Sequence, residues 1–230
     1  METLLLRLDA PMMSFGSVLV DNIGRTSPFP GKSLLTGLFA NALGYTRAEP
    51  DRLEKLQDRL RHAVRRERGG QVLREYQTVD LGQDFLQSDR AWTSWGFLDA
   101  RAGQSGDGTH ERFRDYLVDS MFTVAITLSE GPGPSLEEMA CALQKPQRPL
   151  FLGRKCCPPA SRLFLGMLQA DSLRDALLQT PEVSPGPKTL WWPQGDSPKH
   201  EKHPIYLCDT RDWRNQIHVG RSCMFEEHHE

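Results

Sequence analysis

The chain has no run of about eighteen apolar residues in its 230, so nothing in it predicts a membrane-spanning helix. Arg7 and Asp9 interrupt the opening METLLLRLDAP too early for a secretory signal. Five cysteines, an odd number with no C-x-x-C pair, are typical of a protein from the reducing cytoplasm. The net charge of −2 argues against a uniformly basic protein. These absences together predict a cytoplasmic protein that is not bound to a membrane.

Common catalytic motifs are also missing, including G-x-S-x-G, H-E-x-x-H and a paired-carboxylate motif. The segment RTSPFPGKSLLTGL at residues 25–38 resembles the end of a nucleotide phosphate loop. Thr26 replaces the first glycine of such a loop, and Pro28 and Pro30 remove N–H groups that would bind phosphate. A nucleotide-hydrolysing site is therefore excluded. Lys32 and Ser33 remain at the start of a predicted helix, either as phosphate ligands or as parts of an ordinary helix that Ser33 caps.

The order of predicted elements favours an α+β fold of the ferredoxin-like type. Strands are expected at residues 3–9, 121–129 and 163–169, helices at 34–43, 51–59, 135–145 and 172–179, and a hairpin at 60–79 that turns at Gly69-Gly70. A long insertion is expected at residues 80–116. We predict one domain over residues 1–179. A small irregular extension, residues 180–230, would pack on it, with short strands near 205–208 and 217–219 and a disordered tail.

Positive charge is concentrated in two segments of this nearly neutral chain. The arginine segment, residues 59–74, has one acid, Glu67, among six arginines: Arg59, Arg61, Arg65, Arg66, Arg68 and Arg74. The acid-free segment, residues 144–170, contains Lys145, Arg148, Arg154, Lys155 and Arg162. Either segment could be a solvated face, or both could bind a polyanion such as RNA or DNA. The acid-free segment favours binding, because Gly153 allows a ligand to approach the backbone and arginine suits phosphate.

Histidines offer a second hypothesis. Lys199 and His200 could support metal-free RNA cleavage, with the histidine as general base and the lysine stabilising the phosphorane, or they could be two exposed loop residues. The His200-x-x-His203 pair with Cys208 lacks the spacing of a zinc site. We expect no metal and no cofactor.

Four stretches resemble the CasD family, the subunit of type I-E CRISPR Cascade that caps the 5′ end of the guide RNA. They are LLLRLDAPMMSFG (residues 4–16), RTSPFPGKSLLTGLFANALG (25–44), LREYQTV (73–79) and KPQRPLFLGRKCCPPASRLFLG (145–166). Their order and spacing agree with the family over residues 1–170, and the last 60 residues match poorly. The resemblance implies a modified RNA-recognition fold with a thumb at about residues 80–116.

The resemblance further implies a non-catalytic subunit for antiviral defence that grips the 5′ handle of the guide RNA. Its implied protein partners are the Cascade backbone subunit and the large subunit, through which it would meet target DNA indirectly. A related type I-C subunit is a ribonuclease, which keeps the metal-independent endoribonuclease as the alternative. By position, the expected handle contacts are Ser14, Phe15, Gly16, Arg25, Lys32, Ser33, Tyr76, Gly153, Arg154 and Lys155, with Phe15 and Tyr76 stacking on bases. The expected thumb contacts to a displaced base are Arg90, Trp92 and Trp95.

Overall fold

Seven strands form the main sheet of the computed structural model, which describes residues 1–17, 22–80, 90–92, 98–100 and 109–229. The strands in chain order are β1 (Glu2–Asp9), β2 (Met12–Met13), β3 (Ile23–Gly24), β4 (Leu60–Arg68), β5 (Gln71–Asp80), β6 (Arg90–Trp92), β7 (Leu98–Ala100), β8 (Thr109–Val118), β9 (Met121–Leu128), β10 (Phe164–Gln169), β11 (Lys188–Pro193), β12 (Pro204–Asp212) and β13 (Ile217–His229). The helices are α1 (Lys32–Ala42), α2 (Pro50–Arg59), α3 (Leu136–Gln144), α4 (Leu173–Gln179) and a 3-10 turn at Pro198–His200. No helix in these described ranges is both long enough and apolar enough to cross a lipid bilayer.

The main sheet runs in the order β10-β1-β9-β4-β11-β13-β12, and every neighbouring pair is antiparallel. Both β1 and β9 are apolar over most of their length, as expected for strands covered on two faces. The predicted mixed α and β fold with antiparallel pairing is confirmed. Four of the strands, β1, β4, β9 and β10, alternate along the chain with helices in the order β-α-α-β-β-α-β.

Helices cover the two faces of this sheet unequally. Alternate residues of β1 face opposite ways: Leu4, Leu6 and Leu8 belong to a large core with α1, α2 and α3. Leu5 faces a smaller core that contains α4. The predicted helices all form, within one or two residues of the expected ends. Ser135 caps α3 in a reciprocal capping box with Glu138.

The glycine pair at residues 69 and 70 does not turn a hairpin, so this prediction is wrong. Instead β4 continues into β5, while β8 continues into β9, and the two long strands pair with each other from Leu60 opposite Leu128 to Asp80 opposite Thr109. Gly70 has φ +64°, and a Cβ there would lie 2.1 Å from the Val118 carbonyl oxygen. Gly70 is thus needed where the partner strand crosses closely, whereas a Cβ on Gly69 would meet no atom within 4 Å. We call the paired β5 and β8 the arm; β8 also shows that residues 109–116 of the expected insertion form a regular strand.

The C-terminal region is neither irregular nor disordered at its tail, contrary to expectation. The strand β11 lies between β4 and β13 in the main sheet, and its Trp192 is fully buried. Residues 226–229 of the tail that we expected to be disordered form the end of β13, because the Trp191 indole N–H donates to Glu226 (2.6 Å) and Arg174 pairs with Glu227 (2.7 Å). The proposed division of the chain at residue 179 stays a prediction.

Candidate nucleic-acid interface

A groove of about 610 Å³ opens where α1, residues 14–17 and 24–25, the loop at residues 148–154 and the end of the β12–β13 hairpin meet. We call it the basic groove. Five arginines line it: Arg25, Arg47, Arg148, Arg154 and Arg211. Among the described residues, no aspartate or glutamate lines it. Its volume falls in the range of roughly 300–1,000 Å³ typical of ligand sites, and its charge suits an anion.

Arg154 is held in the wall of this groove by two contacts. One terminal nitrogen, Nη2, donates to the Gly24 carbonyl (3.2 Å), and the guanidinium lies 4.7 Å from the centre of the Tyr116 ring. The Tyr116 hydroxyl donates to Glu75 (2.9 Å), and burial raises the pKa of this phenol, which keeps it neutral. The other nitrogen of Arg154, Nη1, is buried and has no hydrogen-bond acceptor among the described residues. A ligand oxygen in the groove would supply one.

Gly153 is required by a close approach, but the group that approaches is the chain's own backbone. Gly153 has φ +95°, and a Cβ there would lie 1.7 Å from the Ser14 carbonyl oxygen. The Ser14 N–H donates to the Leu152 carbonyl (3.1 Å), which ties the two loops together. Ser14 itself is 3% exposed, and its hydroxyl donates to the Asp115 carbonyl (3.1 Å). Ser14 thus occupies the position of a Gly153 Cβ, but Gly153 itself is exposed and lines the basic groove, so the expectation that a ligand approaches its backbone stays a prediction.

The start of α1 already holds an anion from within the chain. Gly31 is the N-cap, so Ser33 lies inside the first turn and does not cap the helix as expected. The Lys32 N–H donates to the Asp209 carboxylate (2.9 Å), which occupies the position that we assigned to a phosphate. Lys32 does not line the basic groove, whereas Ser33 does. Burial lowers the pKa of Lys32, and the nearby Asp209 opposes this shift.

A buried polar cluster lies beneath this helix start. The second oxygen of Asp209 accepts from the Ser222 hydroxyl (2.6 Å), so the carboxylate joins α1 to both β12 and β13. His62 of β4 is 2% exposed, and burial lowers its pKa to about 4 despite the attraction of Asp209. His62 is neutral near pH 7 as a result. Its Nε2 atom has no hydrogen-bond partner within the described chain.

The remaining predicted site residues divide into three groups. Gly16 and Arg25 are exposed and line the basic groove. Phe15 is fully buried edge-on to Phe122, with ring centres 5.3 Å apart, so it has no exposed face to stack on a base and the expected stacking is corrected. Lys155 is exposed beside the groove without lining it.

Tyr76 lies on the arm, away from the residues that line the groove. Its ring is 54% exposed and packs against Phe113 at 5.2 Å, and its hydroxyl donates to Glu111 (2.8 Å). Of the expected thumb contacts, Arg90 and Trp92 belong to the short strand β6, which pairs with β7. Trp95 lies outside the described residues.

Most of the arginine segment is engaged inside the protein, which favours a structural role for it. Arg65 is 2% exposed, and it pairs with the buried Glu67 (2.7 Å) and donates to the carbonyls of Leu177, Thr180 and Pro181. Arg74 pairs with Asp115 (2.7 Å) and holds the pKa of that carboxyl below its usual range. Arg59, Arg66 and Arg68 also donate to protein acceptors: Ser129 and Pro134, Thr189, and Asp119.

Several groove residues were missed from the sequence. Arg211, Trp213, Gln216 and His218 reach the groove from the β12–β13 hairpin, in the region that we expected to be irregular. The sequence signal that could have found them is the pair Arg211 and Trp213 in RDW. This pair lies between the short strands predicted near residues 205–208 and 217–219, which places both residues near a hairpin turn. Arg47 follows α1 and carried no local signal.

The Lys199-His200 pair lies elsewhere. Both residues are exposed on the 3-10 turn, and His200 lines a second groove of about 560 Å³ with Lys202, His203, Glu226, Glu227 and His228. This second groove and the basic groove share no lining residue.

Comparison with known proteins gives one consistent result. A family model described as CRISPR-associated protein (Cas_Cas5) matches residues 3–224. The CRISPR system Cascade subunit CasD of Escherichia coli (strain K12) is 33% identical over 186 residues, which cover 76% of this chain and 75% of that protein. A chain of a solved CRISPR RNA-guided surveillance complex superposes with a TM-score of 0.70 at 27% identity, covering 98% of this chain and 88% of the other.

A second solved structure, described as a Cas protein, superposes with a TM-score of 0.64 at 25% identity, over 99% of this chain and 93% of that one. The family match spans residues 3–224, from β1 into β13. The chain belongs to the Cas5 family of CRISPR-associated proteins.

Proposed function

We propose that this protein is a non-catalytic RNA-binding subunit of a Cascade-type surveillance complex, and that its basic groove grips the 5′ handle of the guide RNA. The observation that carries the proposal is the groove itself, whose described lining has five arginines and no acid. Arginine suits phosphate because its planar fork donates two parallel hydrogen bonds. The likeness to CasD of Cascade and to a chain of an RNA-guided surveillance complex supports the choice of RNA.

Within this proposal the site residues take different roles. Arg25 and Arg154 bind phosphates from opposite loops of the groove, and Ser33 and the exposed backbone of Gly16 line the same path. Lys155 lies beside the groove and adds positive charge at its rim. Ser14 and Gly153 also line the groove. Phe15 and Lys32 shape it from behind, because Phe15 is buried and the Lys32 N–H is bound to Asp209.

The arm suits contacts with neighbouring subunits. Val72 and Tyr76 lie on one face of β5 and are 63% and 54% exposed. We propose that this face, with the thumb residues Arg90, Trp92 and Trp95, contacts the Cascade backbone subunit and a displaced RNA base. Contact with the large subunit would connect the protein indirectly to target DNA.

We further propose that the protein acts in the cytoplasm and that its core is a modified ferredoxin-like domain. Support for the fold comes from the sheet order β10-β1-β9-β4. Along the chain, α1 and α2 connect β1 to β4, and α3 connects β9 to β10. Support for a non-catalytic role comes from Lys199 and His200, neither of which lines the basic groove.

Binding of a fluorescent single-stranded RNA octamer to the full chain, measured by anisotropy across a salt series, tests the proposal. We expect Arg25→Ala and Arg154→Ala each to weaken binding about tenfold and to reduce the slope against salt by about 0.7, as for one lost phosphate contact. Arg162→Ala is the matched control, because Arg162 is exposed outside the groove. Equal affinity of all three variants and the unmodified chain would contradict the proposed site.

Incubation of the full chain with its repeat RNA in EDTA tests the non-catalytic part. We expect intact RNA. Specific cleavage that His200→Ala abolishes would instead support the metal-independent endoribonuclease.

A further inference from the structure

The end of the β12–β13 hairpin forms one wall of the basic groove and contributes more to it than the charge of Arg211. We call residues 211–218 the hairpin tip. Its side chains that face the groove are Arg211, Trp213, Gln216 and His218. Like the rest of the described groove lining, they include no acid.

Two residues of α2 fasten the hairpin tip to the body of the protein. The side-chain amide of Gln57 donates to the Arg211 carbonyl (2.9 Å) and accepts from the Arg211 N–H (3.1 Å), so it substitutes for a neighbouring strand. Gln57 is 2% exposed, which makes this pair of hydrogen bonds hard for water to replace. Arg214 forms an ion pair with Asp51 in the first turn of the same helix.

The tip is also ordered internally. One carboxylate oxygen of Asp212 accepts from the N–H groups of Arg214 (2.9 Å) and Asn215 (2.8 Å), which closes the turn. Gln216 has φ +60°, an uncommon conformation for a residue with a side chain. The Arg211 guanidinium holds it there through the Gln216 carbonyl (2.9 Å) and side-chain oxygen (3.0 Å). Strained residues that their surroundings hold in place are concentrated at ligand clamps.

This rigid tip presents a partly exposed aromatic ring to the groove. The Trp213 indole is half-buried, with its edge 3.7 Å from the position a Cβ would take on Gly37 of α1. The Arg211 guanidinium lies 5.5 Å from the indole centre. The indole N–H of Trp213 and the Nε–H of Arg211 are both buried donors with no acceptor among the described residues.

We propose that the hairpin tip is a base-binding subsite, in which Trp213 stacks on one unpaired base of an RNA strand whose phosphates follow the groove arginines. An aromatic ring beside arginines is the combination that binds single strands, because the ring takes the base and the cations take the backbone. A duplex hides the faces of its bases, so the occupant is single-stranded. The proposal rests on the proposed function, since it assigns a base contact within the same groove.

Two RNA octamers that differ only in their bases test this subsite with the full chain. One is oligoadenylate, and the other carries abasic ribose at every position and keeps all the phosphates. We expect the unmodified chain to bind oligoadenylate about tenfold more tightly than the abasic octamer, as stacking of one base predicts. Trp213→Ala should remove that preference and leave the affinity for the abasic octamer unchanged.

Two further variants separate stacking from general damage. Trp213→Phe should retain most of the preference, because it keeps an aromatic face. Tyr206→Ala is the matched control, since Tyr206 is a 59% exposed aromatic residue of the same hairpin outside the groove, and it should retain the full preference. A preference that survives Trp213→Ala, or equal loss of affinity for both octamers in that variant, would overturn the subsite.

The outcomes also separate this inference from the proposed function. Equal binding of the two octamers by the unmodified chain would overturn the subsite and leave the phosphate-binding groove standing. Absence of binding to either octamer would overturn both.

Discussion

Replacing Gly153 by alanine should destabilise the protein far more than a typical loop substitution. At φ +95° an added Cβ makes the left-handed conformation unfavourable by about 1–2 kcal/mol. The same Cβ would lie 1.7 Å from the Ser14 carbonyl oxygen, whereas real contacts of this kind are not shorter than 3.0 Å. The Ser14 backbone must therefore move by more than an ångström, which puts its hydrogen bond to Leu152 at risk. Overpacking of this kind typically adds about 1–3 kcal/mol, so we expect a total of about 2–5 kcal/mol.

Gly186→Ala provides the matched control. Gly186 has a similar φ of +103°, but a Cβ there would meet no atom within 4 Å. Only the backbone term applies, so a loss of about 1–2 kcal/mol is expected. The measurement is urea unfolding of the unmodified chain and both variants, followed by intrinsic fluorescence, with the midpoints converted at a common slope. If Gly153→Ala were no more destabilising than Gly186→Ala, the close contact with Ser14 would not determine the choice of glycine.

Two buried charged or ionisable groups give further predictions. Arg65→Ala should lower the free energy of unfolding by about 3–5 kcal/mol, because it leaves Glu67 buried without its partner. Arg68 belongs to an exposed ion pair, so Arg68→Ala should lower the same free energy by no more than about 1 kcal/mol. Both are measured in the same urea assay. Since burial lowers the pKa of His62 to about 4, the unfolded chain binds a proton below pH 6.5 that the folded chain excludes. Stability should fall by about 1–2 kcal/mol between pH 6.5 and pH 5, and His62→Gln should flatten this dependence; an unchanged slope would contradict it.

The elements with strong local patterns were predictable from the sequence. The apolar runs of β1 and β9 carry their own signals, and both strands formed as expected, as did the helices α3 and α4. The pairing of distant strands carries no such signal. Gly69 and Gly70 have the composition of a turn, and only the position of Val118 on the opposite strand shows that Gly70 is needed for close passage.

The candidate site was predictable only in part, for the same reason. Arg25, Arg154 and Ser33 were found because local composition placed cations and hydroxyls near loops. Whether a residue faces ligand or protein depends on contacts that are distant in sequence. Lys32 shows this most clearly, since its helix start is occupied by Asp209, which lies 177 positions later in the chain.

The arm has a mechanical consequence. Its two strands are direct extensions of β4 and β9, which are interior strands of the main sheet, so no loop intervenes to absorb a load. A force on the arm is passed along the covalent backbone into the middle of the sheet, where strands on both sides resist it. The arm is therefore fixed to the main sheet at its base. It would bend at Gly70 and Asp119, which both have positive φ and interrupt the two strands opposite each other. A subunit that pushed on the arm would therefore also push on β4, the strand that carries His62 beneath the start of α1.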